Sequence, residues 1–149
     1  MLKTDSIQKK ALLRADGSAR LGLGHLIRSL ALLKEFRRRG WQVALATRQD
    51  ELRGVLDTTM FHNLLIGTEL IPVPPDTEIG SDELTVAGFE NADLVIVDCY
   101  GIDADVEVNF CPTGALVLVI DDLADRRHAC DVLVDQTMGR QTQAYENLI

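Results

Sequence analysis

A doubly wound, mostly parallel α/β sheet with helices on both faces is the fold this sequence predicts. Three observations predict it. Several short apolar runs are continuous instead of alternating, as in strands covered on both faces. The chain opens as strand, helix, strand, which is normally a right-handed parallel crossover. Polar residues also gather where these runs end, at the carboxyl edge where such a sheet keeps its ligand crevice.

In chain order, residues 10–14 form a buried-type strand after a polar start. The turn-rich Ala15-Asp16-Gly17-Ser18 follows it. A helix then begins near Gly24, with Leu23, Leu26, Ile27, Leu30 and Leu33 repeating at three- and four-residue spacing as one apolar stripe. Arg37, Arg38 and Arg39 complement its carbonyl end, and Gly40 stops it. Residues 41–47 read as a second strand. The middle is less regular, with a helix over 51–56, a short strand over 69–73, and a loop marked by Pro72, Pro74 and Pro75. A helix over 81–90 precedes the run Leu94-Val95-Ile96-Val97-Asp98, and further strands cover 115–120 and 132–135. Arg14-Ala15-Asp16, Asp98-Cys99-Tyr100 and Asp121-Asp122 thus fall at strand carboxyl ends. No internal repeat or interdomain linker interrupts the 149 residues, which read as one Rossmann-like domain with an ordered core of about 10–140.

Charge narrows the partners. With 15 Lys plus Arg against 23 Asp plus Glu, the net charge of −8 repels phosphate backbones and anionic bilayers, so neither nucleic acid nor membrane is an expected partner. No apolar run approaches the roughly 18–20 residues of a membrane span, and the polar start lacks the apolar middle of a secretion signal. A cytoplasmic protein is the expectation. Cys99, Cys111 and Cys130 are odd in number and lack Cys-x-x-Cys spacing, which reads as buried reduced thiols, with no metal site.

Gly22-Leu23-Gly24-His25 joins the first strand to the first helix. Gly22 and Gly24 let a ligand approach the backbone, and the helix start offers unpaired N–H groups. A dinucleotide fingerprint needs a third small residue where Ile27 would push the helix off its strand, and an acidic ribose ligand where Thr47-Arg48 stands. Arg48 could suit a 2′-phosphate, which leaves a phosphorylated nicotinamide cofactor open, but no cofactor is expected. His25, in the first helical turn, sits where the dipole disfavours imidazolium, so a neutral ring is available to accept a proton. Equally open is a histidine that caps the turn or packs against Asp16.

Other polar groups have plainer roles open to them. A phosphoacceptor pocket built from Asp16, Asp98 and Asp121 would need an acidic pair after the first strand and a lysine near the fifth, and neither is present. His128-Ala129-Cys130-Asp131 fits no zinc spacing and reads as loop polarity, and Arg126-Arg127 as a solvated loop. Tyr100 follows a strand-end aspartate, where its hydroxyl could orient a sugar or water or simply pack.

Taken together, Arg14-Ala15-Asp16-Gly17-Ser18, Gly22-Leu23-Gly24-His25-Leu26-Ile27-Arg28, Asp98-Cys99-Tyr100-Gly101 and Asp121-Asp122-Leu123-Ala124-Asp125-Arg126 form a pattern. With His128, Cys130-Asp131, Asp135-Gln136, Tyr145 and Leu148, they resemble the UDP-2,4-diacetamido-2,4,6-trideoxy-β-L-altropyranose hydrolase family of pseudaminic acid biosynthesis. The glycine turn alone is weak, because a glycosyltransferase of peptidoglycan synthesis has a similar one. The aspartate-rich block is the specific part. Cys99 departs from the pattern, standing where the family carries histidine.

The resemblance implies a GT-B-like enzyme of two facing Rossmann-type domains and a metal-independent hydrolysis that releases UDP from the UDP-sugar substrate. His25 matches the general base that activates water, and Tyr100 matches a residue at the sugar. Asp16 matches a position that would orient His25, while Arg28 and Asp98 match motif positions with structural or substrate-binding roles. It also implies that this chain is the N-terminal half, that the nucleotide-binding C-terminal domain is absent, and that the chain alone turns over little substrate. A separately supplied second domain, or self-association through the exposed interdomain surface, would then be its partner. Two other readings stay open: half of a GT-B glycosyltransferase, and a non-catalytic sugar-nucleotide binding module.

Overall fold

Alternate residues of a strand face opposite sides of the sheet, and in this chain both sides are apolar. A computed structural model of the protein describes residues 8–17, 23–48, 59–73 and 89–149. In chain order the elements are β1 (Lys10–Ala15), α1 (Gly24–Arg38), β2 (Gln42–Thr47), α2 (Thr59–Leu65), β3 (Glu69–Pro72), β4 (Leu94–Asp98), α3 (Ala104–Phe110), β5 (Leu116–Ile120) and β6 (Val132–Val134). A short 3-10 turn over Thr142–Tyr145 closes the order. The strands form one six-stranded sheet in the order β3-β2-β1-β4-β5-β6, and every pairing is parallel. This is the Rossmann-like strand order, with its reversal between β1 and β4.

The continuous apolar runs resolve into two core layers. Ala11, Leu13, Ala15, Val43, Leu45 and Ile96 face α1 and α2. Leu12, Ala44, Ala46, Val95, Val97 and Val119 face the other side, where Phe89 and Ile102 cover them. From α1, Leu26, Leu30 and Leu33 are wholly buried, and each such burial is worth about 1.5–3 kcal/mol. Ile27 departs from the expected stripe: it is 37% exposed, and Ser29 is buried in its place. The steric argument against a dinucleotide turn at Ile27 therefore fails, whereas the lack of an acidic residue after β2 remains. Gly40 (φ +86°) ends α1 in the left-handed conformation that glycine tolerates.

Strands expected over 10–14, 41–47, 69–73, 94–98, 115–120 and 132–135 all form, within a residue at either end. The helix expected over 51–56 lies outside the described residues. So does most of the one expected over 81–90, whose last two residues, Phe89 and Glu90, sit in a turn. The two seven-residue helices α2 and α3 were not expected. Among the described residues, no helix is long and apolar enough to cross a membrane.

Candidate active site

The parallel register sets Ala15 of β1 beside Asp98 of β4, so both strands deliver polar residues to one edge at the point where the strand order reverses. α1 starts directly above that edge. Residues 25, 28 and 29 follow i, i+3, i+4 spacing and therefore share one helical face. That face meets Asp98.

The Asp98 carboxylate is wholly buried and accepts hydrogen bonds from four donor atoms: His25 Nδ1 (2.7 Å), Arg28 Nε (2.8 Å), Arg28 Nη2 (2.6 Å) and Ser29 Oγ (2.7 Å). Arg28 Nη2 also lies 2.8 Å from His25 Nδ1. The two short contacts at Nδ1 are decided by charge: a bare Nδ1 lone pair would face a carboxylate oxygen, so Nδ1 carries the proton and donates it to Asp98. His25 Nε2 then keeps its lone pair. The imidazole is 16% exposed and lines a cleft of about 150 Å³ with Asp16, Arg48, Asp98, Cys99, Tyr100 and Gly101. The volume holds part of a small ligand and falls short of the 300–1,000 Å³ usual for larger ones. A larger cavity of about 320 Å³ lies at the C-terminal turn, lined by Leu133, Asp135, Arg140, Tyr145 and others. Its Arg140 and Tyr145 side chains are already bonded to Asp135.

Asp16 is not the partner of His25. Arg14, only 1% exposed, grips the Asp16 carboxylate at 2.6 and 2.7 Å, and the Arg48 backbone N–H donates to it at 3.0 Å. Burial alone would raise the Asp16 carboxyl, but the hydrogen bonds and charge of Arg14, joined by Arg48, hold it below its usual range. Asp98, expected among the structural or substrate-binding positions, is the residue that orients the histidine. Gly22 lies outside the described residues. Gly24 begins α1, and the space where its side chain would project is open.

Tyr100, 43% exposed, is held from three sides. Its hydroxyl donates to Asp122 Oδ1 at 2.8 Å, its ring and the His25 imidazole form a T-shaped pair with centroids 4.5 Å apart, and the Arg126 guanidinium lies 6.0 Å from the ring centre. Burial, followed by the hydrogen bond and charge of Asp122, pushes its phenol up to about 12. With its one proton committed to Asp122, the phenol oxygen presents lone pairs to a ligand, which suits a hydroxyl or an amide N–H.

The loop after β5 is more ordered than a solvated stretch. Arg126 is drawn in to Asp121 at 2.9 Å and donates to the Ile102 carbonyl at 2.9 Å. Ala124 takes φ +54°, and its N–H donates to Asp121 at 2.8 Å. His128, expected as loop polarity, is instead 5% exposed and bonded through Nδ1 to the buried Glu107 at 2.7 Å. All three cysteines are free, as expected, but they are half-buried where buried thiols were expected. Burial raises the Cys99 thiol, with Arg14 opposing and Asp16 reinforcing, so Cys99 remains a thiol and a poor nucleophile in the cleft. No cluster of three or more metal-ligating side chains occurs among the described residues.

The same chain is 27% identical over 146 residues to the UDP-2,4-diacetamido-2,4,6-trideoxy-beta-L-altropyranose hydrolase of Campylobacter jejuni. The resemblance read from the motifs holds. The alignment covers 94% of this chain and 46% of that protein, so the chain spans about half the length of its curated relative. No family model matches the sequence. His25, Asp98, Arg28 and Tyr100, which the sequence motifs mark, come together at one edge. Ser29 and the role of Asp122 are not marked by those motifs. The three-residue spacing of Ser29 and Leu26 around the helix, and the position of Asp122 at a strand end, were the available signals.

Proposed function

We propose that this chain carries the water-activating half of a nucleotide-sugar hydrolase, acting on UDP-2,4-diacetamido-2,4,6-trideoxy-β-L-altropyranose or a close relative. The observation that carries the reading is the buried Asp98 holding His25 Nδ1–H at the reversal point of the sheet, which leaves Nε2 as a base in the cleft. The named activity of the Campylobacter protein supports the substrate class.

The chemistry follows from that geometry. A water bound at His25 Nε2 attacks the anomeric carbon. Its oxygen forms the new bond to carbon, the bond from that carbon to the diphosphate oxygen breaks, and UDP leaves with the electron pair. Nε2 takes the water proton, and the Asp98 carboxylate stabilises the imidazolium so formed. Arg28 balances the charge of Asp98, and Tyr100 accepts a hydrogen bond from the sugar. A water positioned by such a base contributes roughly 10²–10⁴-fold to rate. Binding energy from the nucleotide positions the sugar, and this falls to the half of the enzyme that this chain does not match.

The test is UDP release from the named sugar nucleotide by the purified chain, alone and mixed with the portion of the Campylobacter relative left uncovered. Release in the mixture, abolished by His25→Ala, is the expected result. Release that survives His25→Ala removes the histidine from the mechanism, and release that needs an added acceptor alcohol identifies a transferase instead.

A further inference from the structure

The motif Asp121-Asp122 sits at the end of β5, and its second aspartate has no part in the reaction described so far. Asp122 is 26% exposed, and it touches both neighbours of the general base. One oxygen accepts the Tyr100 hydroxyl at 2.8 Å, and the other lies 3.5 Å from Arg28 Nη1. Arg28 and Tyr100 in turn both meet His25, the first through Nη2 at 2.8 Å from Nδ1 and the second ring against ring, with centroids 4.5 Å apart and an interplanar angle of 83°. The five residues His25, Asp98, Arg28, Asp122 and Tyr100 therefore form a closed circuit of contacts that spans α1, β4 and the segment after β5.

We propose that Asp122 is a positioning residue: by holding the Tyr100 hydroxyl and facing Arg28, it braces the tyrosine ring against His25 and fixes the imidazole that Asp98 has oriented. The inference rests on the hydrolase reading for its consequence in catalysis, but the brace itself is a property of this chain. A half-exposed tyrosine otherwise has rotamer freedom about χ1. The hydroxyl bond removes it, and the ring then limits the rotation of His25 that the single Nδ1–Asp98 bond leaves open. A catalytic base held loosely by about 1 Å loses a large part of its effect.

Two measurements test this. In the purified full chain, the ring protons of His25 are read by NMR and assigned by their loss in His25→Ala. The tyrosine ring shifts them, and Tyr100→Ala sets the value without it. Asp122→Ala is expected to move the His25 signal at least halfway to that value, and Asp122→Asn, which still accepts the hydroxyl, to hold it near wild type. Tyr100→Phe deletes only the hydroxyl and reads the same contact if Asp122→Ala does not fold. A His25 signal left at its wild-type position in both Asp122→Ala and Tyr100→Phe overturns the brace.

In the mixed-half UDP-release assay, Asp122→Ala is expected to lower kcat about tenfold with KM within twofold, whereas Tyr100→Phe, which also loses its hydrogen bond to the sugar, lowers kcat at least as far and raises KM. The double variant should be no slower than Tyr100→Phe alone, and Asp122→Asn should recover most of kcat. Losses that multiply, or a wild-type kcat in Asp122→Ala, overturn the positioning role. The two readings separate cleanly. A His25 signal that responds in a wild-type mixture releasing no UDP upholds the brace and sinks the hydrolase. A silent signal in an active mixture does the reverse.

Discussion

Replacing Asp98 by Asn keeps the shape of the side chain and removes half of its capacity to accept. The carboxylate now takes four donor atoms, two on each oxygen: His25 Nδ1 and Arg28 Nη2 on Oδ1, Arg28 Nε and Ser29 Oγ on Oδ2. An asparagine has one such oxygen and an NH₂ group. Whichever way it is turned, the NH₂ meets a guanidinium N–H head-on, because Arg28 donates to both positions. Breaking a fully buried ion pair costs roughly 3–5 kcal/mol. Arg28 is 20% exposed and keeps Asp122 at 3.5 Å, so we expect less than that, about 2–3 kcal/mol. For a chain of this size the loss corresponds to a fall in Tm of about 5–10 °C.

The effect on rate depends on the tautomer. With the asparagine oxygen toward Arg28 Nε and Ser29, its NH₂ faces His25 Nδ1 and draws the imidazole proton to Nε2, where no lone pair is left for water. Asp98→Asn is therefore expected to lower kcat for UDP release by roughly 10²–10⁴-fold, the contribution of a general base. Calorimetry of the chain and UDP release in the mixed-half assay measure the two arms. ¹⁵N NMR of His25 adds the tautomer directly, with Nδ1–H expected in wild type. A kcat within threefold of wild type, or a wild-type spectrum with its proton on Nε2, would refute the reasoning.

Three further outcomes follow from residues outside the His25–Asp98 pair. Arg14→Leu leaves the Asp16 carboxylate in a buried site without its guanidinium, and we expect a loss of about 3–5 kcal/mol in urea unfolding; a loss under 1 kcal/mol would show that the pair is dispensable. Because the Asp16 carboxyl is held below its usual 3.8, its share of stability is present above about pH 4 and is lost as pH falls through the folded-state value. The urea midpoint should therefore drop between pH 5 and pH 3, and the drop should be smaller in Asp16→Asn; an unchanged drop would assign acid sensitivity elsewhere. Ala124, at φ +54°, occupies backbone space that suits glycine. Ala124→Gly should change stability by less than about 1 kcal/mol, and Ala124→Val should destabilise by about 1–3 kcal/mol, both read from Tm.

The sequence by itself determined the sheet. Apolar runs such as 94–98 can be satisfied only by burial on both faces, and the strand, helix, strand opening admits one handedness, so parallel order follows without knowledge of any distant contact. It also determined where polar side chains would gather, because a strand that ends in a polar residue delivers it to a known edge. The short helices α2 and α3 escaped because seven residues carry fewer than two full turns of periodicity, although Asp103, which accepts the Val106 N–H at 3.2 Å, is a capping signal that could have been read.

What only the tertiary structure decided is who bonds to whom. Asp16 stands nine residues from His25 in the chain and Asp98 stands 73 away, yet register places Asp98 under α1 while the nearby Arg14 claims Asp16. Arg14 itself closes a strand of apolar residues and gives no local hint of burial. His128 likewise follows two arginines and ends at 5% exposure, because Glu107, on α3, approaches from 21 residues away. Periodicity is a local property and is written along the chain. The pairing of buried charges is a competition among groups brought together from distant segments, and only the folded geometry settles which partner is near enough to win it.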